Sequence, residues 1–219
     1  MPVEIPALQD LDFAALTERC EALLRNTTDF PTGVQDGDIR VSAGTTAAYP
    51  WKLYRIDMTT DASSDEFASF IADDGFEHLG RWNSEFVRGE VLETLWSKPG
   101  DRCWLLRVRY RTPFILANRE YVYALRRQQR APDHFVITYH SVVSSLPVDD
   151  GYVRGTLVDT VHDCRPEPGT GRTIVRHILS GDLGGSIPLW VQNHVFAGGI
   201  VAANRRDAVA QKSLLRRSA

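Results

Sequence analysis

The sequence is poor in cysteine: Cys20, Cys103 and Cys164 are the whole complement, far apart, and none belongs to a C-x-x-C pair. An odd number of scattered thiols argues against a disulfide framework or a structural zinc, and fits a reducing compartment. Long hydrophobic runs are also missing. No uncharged apolar stretch reaches the roughly 18 residues of a membrane span. The opening residues, with Pro2, Glu4 and Pro6, have neither the basic nor the apolar region of a secretory signal. A cytoplasmic protein is expected. Positive charge is not in excess: the net charge of -3 argues against a nucleic-acid binder, which concentrates basic surface. The run Arg126-Arg127-Gln128-Gln129-Arg130 reads more simply as a solvated strand end than as a phosphate site.

Catalytic signatures are absent too. The chain contains no G-x-S-x-G, no H-E-x-x-H and no dinucleotide-binding glycine pattern, and the glycines at 181–185 lack the following Lys-Ser/Thr that phosphate binding needs. No cofactor and no metal is expected, and the chain reads as a binder before an enzyme. His162, His177 and His194 have no second residue at a recognisable spacing that would mark a base.

What is present is one folding unit of 219 residues with no repeat, taken as a single domain over 1–219. A first helix is predicted over 11–24, capped by Asp10 or Asp12, with Phe13, Leu16, Cys20, Leu23 and Leu24 on the face that packs on a larger body. Two strands follow within 39–57. Ser63-Ser64-Asp65-Glu66 supplies polar caps for a short helix, and a second covers 76–82. Strands are predicted over 86–95, 102–110, 119–127, 134–143, 152–161 and 172–179, with hairpin-sized links that favour antiparallel neighbours. The chain closes with one long helix over 187–215, Pro188 in its first turn. Gly198 and Gly199 each cost that helix roughly 1 kcal/mol relative to alanine, so something approaches it closely there or it bends.

The strand over 102–110 separates two surfaces. Trp104, Leu106, Val108 and Tyr110 alternate with Leu105, Arg107 and Arg109, and the next strand sets Tyr121, Tyr123 and Leu125 against Val122, Ala124 and Arg126. An aromatic concave face under a helix can enclose a pocket; it can also fill a large core, and periodicity by itself favours the filled core.

Four segments shift that balance: Arg81-Trp82-Asn83, Asn118-Arg119-Glu120-Tyr121-Val122-Tyr123, Gly151-Tyr152-Val153-Arg154-Gly155, and the stretch from Asp182-Leu183-Gly184-Gly185 to Pro188-Leu189-Trp190. In order and spacing they resemble the motifs of START (StAR-related lipid-transfer) domains over nearly the whole chain. The resemblance implies an α+β helix-grip fold, a curved antiparallel sheet wrapped around a C-terminal helix with an internal hydrophobic cavity. It further implies a lipid or sterol-like ligand, transient contact with a membrane surface and no catalysis; a polyketide cyclase or aromatase of the same fold is the alternative. By position it places ligand-binding residues at Trp104, Leu106, Val108, Tyr121, Tyr123, Trp190, Asn193 and Ala197, and a gating loop at Pro113, Phe114, Ile115 and Leu116. A cyclase would need polar residues such as Arg107, Asp159 or His177 pointing inward. The chain departs from the sterol-binding pattern, which pairs an acid before the tryptophan with an arginine further along; those positions hold Arg81 and Leu125. Leu79 stands where phosphatidylcholine-type members carry an arginine, although the stretch from Asn118 to Tyr123 is similar to that branch. Arg119, Glu120, Arg154 and Asp182 would either meet a head group or pair to fix loops, and pairing is the simpler reading. A monomer is expected, and the excess of arginine over lysine hints at a bacterial genome. Charging the proposed gate tests it: Phe114→Asp slows transfer of a fluorescent lipid between vesicles with little change in the circular-dichroism spectrum, and unchanged transfer removes the gating role.

Overall fold

In the computed structural model, residues 4–26, 30, 33–73, 75–112, 116–195 and 197–216 are described. The strands are β1 (Val34–Asp36), β2 (Ile39–Thr46), β3 (Tyr49–Thr60), β4 (Phe86–Lys98), β5 (Asp101–Tyr110), β6 (Asn118–Ala131), β7 (His134–Ser141), β8 (Tyr152–Arg154), β9 (Thr156–Leu157), β10 (Thr160–Pro166), β11 (Thr173–Leu179) and β12 (Gly181–Asp182). The helices are α1 (Phe13–Arg25), α2 (Ser64–Ala72), α3 (Gly75–Trp82) and α4 (Ala197–Arg216). The main sheet runs β1-β2-β3-β11-β10-β7-β6-β5-β4, with β8 added parallel to β6, while β9 and β12 form a separate pair. Consecutive strands joined by tight turns pair antiparallel, and β3 meets β11 to complete the curved wall.

Alternation assigns each strand two duties. On the concave side, Ile56, Met58, Leu106, Val108, Tyr121, Tyr123, Leu125 and Val175 join one core cluster with Phe67 and Ala68 of α2 and Ala208 of α4. On the convex side, α1 lays Leu16, Cys20 and Leu24 against Trp51, Leu53, Val136, Val161 and Ile178. Asp12 caps α1 by accepting the amides of Ala14 and Ala15, and Arg19 fastens it to Asp159 at 2.8 Å. The predicted polar caps at the start of α2 form a capping box, Ser63 and Glu66 capping each other's backbone.

Two sequence expectations are corrected. The strand expected over 152–161 is three separate ones: β8 pairs parallel with β6 up to the bond from the Gly155 amide to the Glu120 carbonyl, β9 pairs with β12, and Asp159, at φ +51°, a left-handed conformation that ends a strand, precedes β10. The closing helix opens at 189 but is not α-helical throughout: a π-helical turn, Val191–Val195, precedes α4, with Gln192 bonded to Gly181 and Leu183 and Asn193 to the backbone of Pro50 and Lys52. The edge strand β4 pairs with β5 through three register shifts.

The convex side of β5 and β6 carries the densest charge cluster. Glu120, fully buried, accepts from Arg107 Nε at 2.7 Å, Arg109 Nε at 3.0 Å and Arg154 Nη2 at 2.8 Å. Asp149 adds a second carboxylate to Arg107 and Arg109. Removing the anion leaves buried cations uncompensated, so Glu120→Gln lowers stability in urea denaturation by about 3 kcal/mol or more. Asp149→Asn, at an exposed partner, costs about 1 kcal/mol or less.

Candidate functional site

Between the concave face and α4 lies a cavity of about 730 Å3, inside the range of roughly 300 to 1,000 Å3 typical of small-molecule sites. β3 contributes Ile56 and Met58, β5 Trp104 and Leu106, β6 Tyr121, Tyr123 and Leu125, and β7 Tyr139. α3 closes one side with Leu79 and Trp82, and α4 presents Gly199, Ala203, Asp207 and Gln211, four residues apart along one stripe. A Cβ built on Gly199 would meet nothing within 4 Å. The glycines therefore answer to no close packing partner; the space beside Gly199 is cavity.

Of the residues singled out from the sequence, Trp104, Leu106, Tyr121, Tyr123 and Leu116 line this cavity. Val108 is fully buried in the core beside it and is not part of the lining. Trp190 is 64% exposed, Asn193 holds β3 through Pro50 and Lys52, and Ala197 lies two residues before the lining stripe, outside the lining. Pro113, Phe114 and Ile115 lie outside the described residues. The π-helical turn at Val191–Val195 breaks the α-helical phase that links 190, 193 and 197, and the inward stripe of α4 falls at Gly199, Ala203, Asp207 and Gln211. The four-residue spacing of Gly199 and Ala203 carried that information.

The polar groups in the lining divide by environment. His162 and His177 are cross-strand partners whose rings stack at 3.7 Å. Burial depresses both, His177 to about 3, and His162 further through its neighbour's charge, so both are neutral at physiological pH. Burial likewise raises Tyr121 to about 12 and keeps Tyr123 and Tyr139 protonated. Asp207 accepts from Asn83 Nδ2 at 3.1 Å; burial and the nearby Glu85 raise its pKa to about 7, against the opposing pull of Arg206. Arg107 and Asp159 are turned away from the cavity. The first joins Glu120, and the second binds Arg19, Tyr49 and His140, whose hydrogen bonds outweigh burial and hold it at about 2. Among the described residues no group of three His, Cys, Asp or Glu could hold a metal ion, and no helix is long and apolar enough to cross a membrane.

A family model described as the START domain matches residues 39–214. The chain belongs to the START domain family. Three solved structures share its fold: human StAR-related lipid transfer protein 5 (TM-score 0.81, 16% identity, covering 93% of this chain and 94% of that one), human STARD10 (0.70, 17%, 95% and 81%), and a STAR-related lipid transfer protein from Xanthomonas axonopodis (0.66, 17%, 86% and 99%). None of the curated proteins matches the sequence significantly. As in the START fold, the sheet is curved, antiparallel and closed by the C-terminal helix.

The START cavity carries a pH dependence through Asp207. It keeps its proton to about pH 7 when folded but loses it near pH 4 when unfolded. Folding stability therefore falls as pH rises through that window and levels above it. Asp207→Asn keeps an oxygen for Asn83 and removes the loss. In paired thermal melts its advantage over the parent is negligible near pH 3 and greatest near pH 8.

Proposed function

We propose that this START domain holds one lipid-like molecule in its cavity and carries it between, or presents it at, membrane surfaces. The observation that supports this most directly is the unfilled volume itself: about 730 Å3, walled by aromatic and aliphatic side chains of the sheet and capped by small residues of α4. Burying an apolar guest there is favourable by roughly 25 cal/mol for each Å2 removed from water. The fold is shared with proteins named for lipid transfer. Membrane contact is supported by Leu189 and Trp190, both exposed on the segment leading into α4. Tryptophan suits the boundary between lipid and water, with an apolar body and one polar N–H. A net charge of -3 argues against nucleic acid as the partner, and we take the carrier to act as a monomer.

The cyclase reading draws support from one observation: of Arg107, Asp159 and His177, the last faces the cavity. A histidine held at about 3 is a weak base at neutral pH, which favours the carrier. Turnover of an aromatic polyketide, lost in His177→Phe, would reverse that judgement.

Native mass spectrometry of the purified protein should show about one added lipid-sized mass per chain, removed by solvent extraction. Gly199→Phe fills the cavity at a helical position where glycine is already poor. It should abolish retention and uptake of fluorescent fatty acid, sterol and phospholipid without lowering the melting temperature. A parent protein with no added mass and no uptake refutes the carrier.

A further inference from the structure

Four arginines stand close together on β5, β6 and β8, and one differs from the rest. Arg107, Arg109 and Arg154 converge on Glu120. Arg119 precedes that carboxylate by one residue, so the alternation of β6 sends it to the opposite face, where it lines the cavity at 2% exposure. Its Nη1 donates to the carbonyl oxygens of Ala117 and Asn118. Its Nε is buried without a partner, and no carboxylate among the described residues forms an ion pair with it. Asp182 acts on it only through space, with Oδ1 engaged by the Gly184 amide at 2.9 Å. Burial lowers the Arg119 pKa, yet a guanidinium stays charged in proteins.

A buried cation with open donors in a greasy wall is stable only beside an acceptor, and an oxyanion is the strongest acceptor a guanidinium can meet. Of the lining side chains, Leu116, Leu157 and Leu183 carry no acceptor, and Tyr121 carries only a neutral phenolic oxygen. We propose that Arg119 is the head-group subsite of the cavity and that the guest is an anionic amphiphile, an apolar chain ending in a carboxylate or phosphate monoester. This rests on the cavity being the seat of a lipid-like guest, as argued above. The register gives the chain its direction. Arg119 lies opposite Tyr110, whereas His162 lies level with Ile137 and hence with Arg127, eight residues further along β6. At about 3.3 Å per residue that is roughly 25 Å of sheet. Tyr121, Tyr123, Leu125 and Tyr139 fill the interval on the cavity side, a wall for a tail that starts at Arg119 and ends near the neutral histidine pair. A free ion would leave that wall wet.

Competition against a bound fluorescent probe on solvent-extracted protein tests the assignment, using dodecanoate, dodecyl phosphate, dodecanol and inorganic phosphate. At least one of the two anionic amphiphiles should bind roughly tenfold to a hundredfold more tightly than dodecanol, the margin of a charge-assisted hydrogen bond. Inorganic phosphate should not compete at those concentrations. Arg119→Met should erase the margin while dodecanol affinity holds, and Arg119→Lys, which keeps the charge, should retain most of it. Equal affinities in the parent, or a margin that survives Arg119→Met, overturn the head-group assignment and leave the carrier standing. Displacement by inorganic phosphate as effective as by dodecyl phosphate overturns the amphiphile in favour of a free oxyanion. Binding of no competitor and no probe overturns the carrier and this inference together. Should Arg119→Met fail to fold, the parent ratios and the lysine variant still decide.

Discussion

The carboxylate of Glu120, held by three guanidinium groups, fixes which way β6 faces. A slip of one residue would bring Glu120 into the cavity and turn Tyr121 and Tyr123 out to the convex side. Because the charge cluster spans β5, β6, β8 and the segment around Asp149, it also sets the height at which those strands meet. Burying so many charges is a poor source of net stability, and its effect is to exclude the alternative register. The opposite face of β6 is then free to carry Tyr121, Tyr123 and Leu125 into the cavity.

Much of this was legible in the sequence because it depends on alternation and local caps. The two faces of β5 and β6, the Asp12 and Ser63 caps and the existence of α2 and α3 follow from residue spacing. What escaped was set by tertiary context. The break at Gly155 follows from the Tyr121 ring, which leaves a Cβ there only 2.4 Å of room, a contact between residues far apart in sequence. The stacking of His162 on His177 follows from the register of β10 on β11. The inward stripe of α4 falls elsewhere than a continuous α-helix would put it because the turn bearing Gln192 and Asn193, whose side chains bond β12 and β3, is π-helical.

The site shows the same division. Trp104, Leu106, Tyr121 and Tyr123 could be placed by parity, whereas the isolation of Arg119 could not, since a sequence with arginines at 107, 109, 119 and 154 and one glutamate at 120 does not reveal which cation goes without. Burial disfavours charge on His162, His177 and Asp207 of the lining, while the lining residues Asp73, Glu85 and Arg206 stand in ion pairs and Arg119 stands in none. The cavity is thus oil-like along its length and polarised at one end.

The irregular edge strand also governs how copies of this protein can meet. Three register shifts along β4 interrupt the ladder of free amides and carbonyls that an incoming chain would need, and the opposite edge, β1, is three residues long. Among the described residues neither margin offers a long regular template for cross-molecular sheet growth, so copies of the chain at high concentration have no ready edge from which to nucleate fibres.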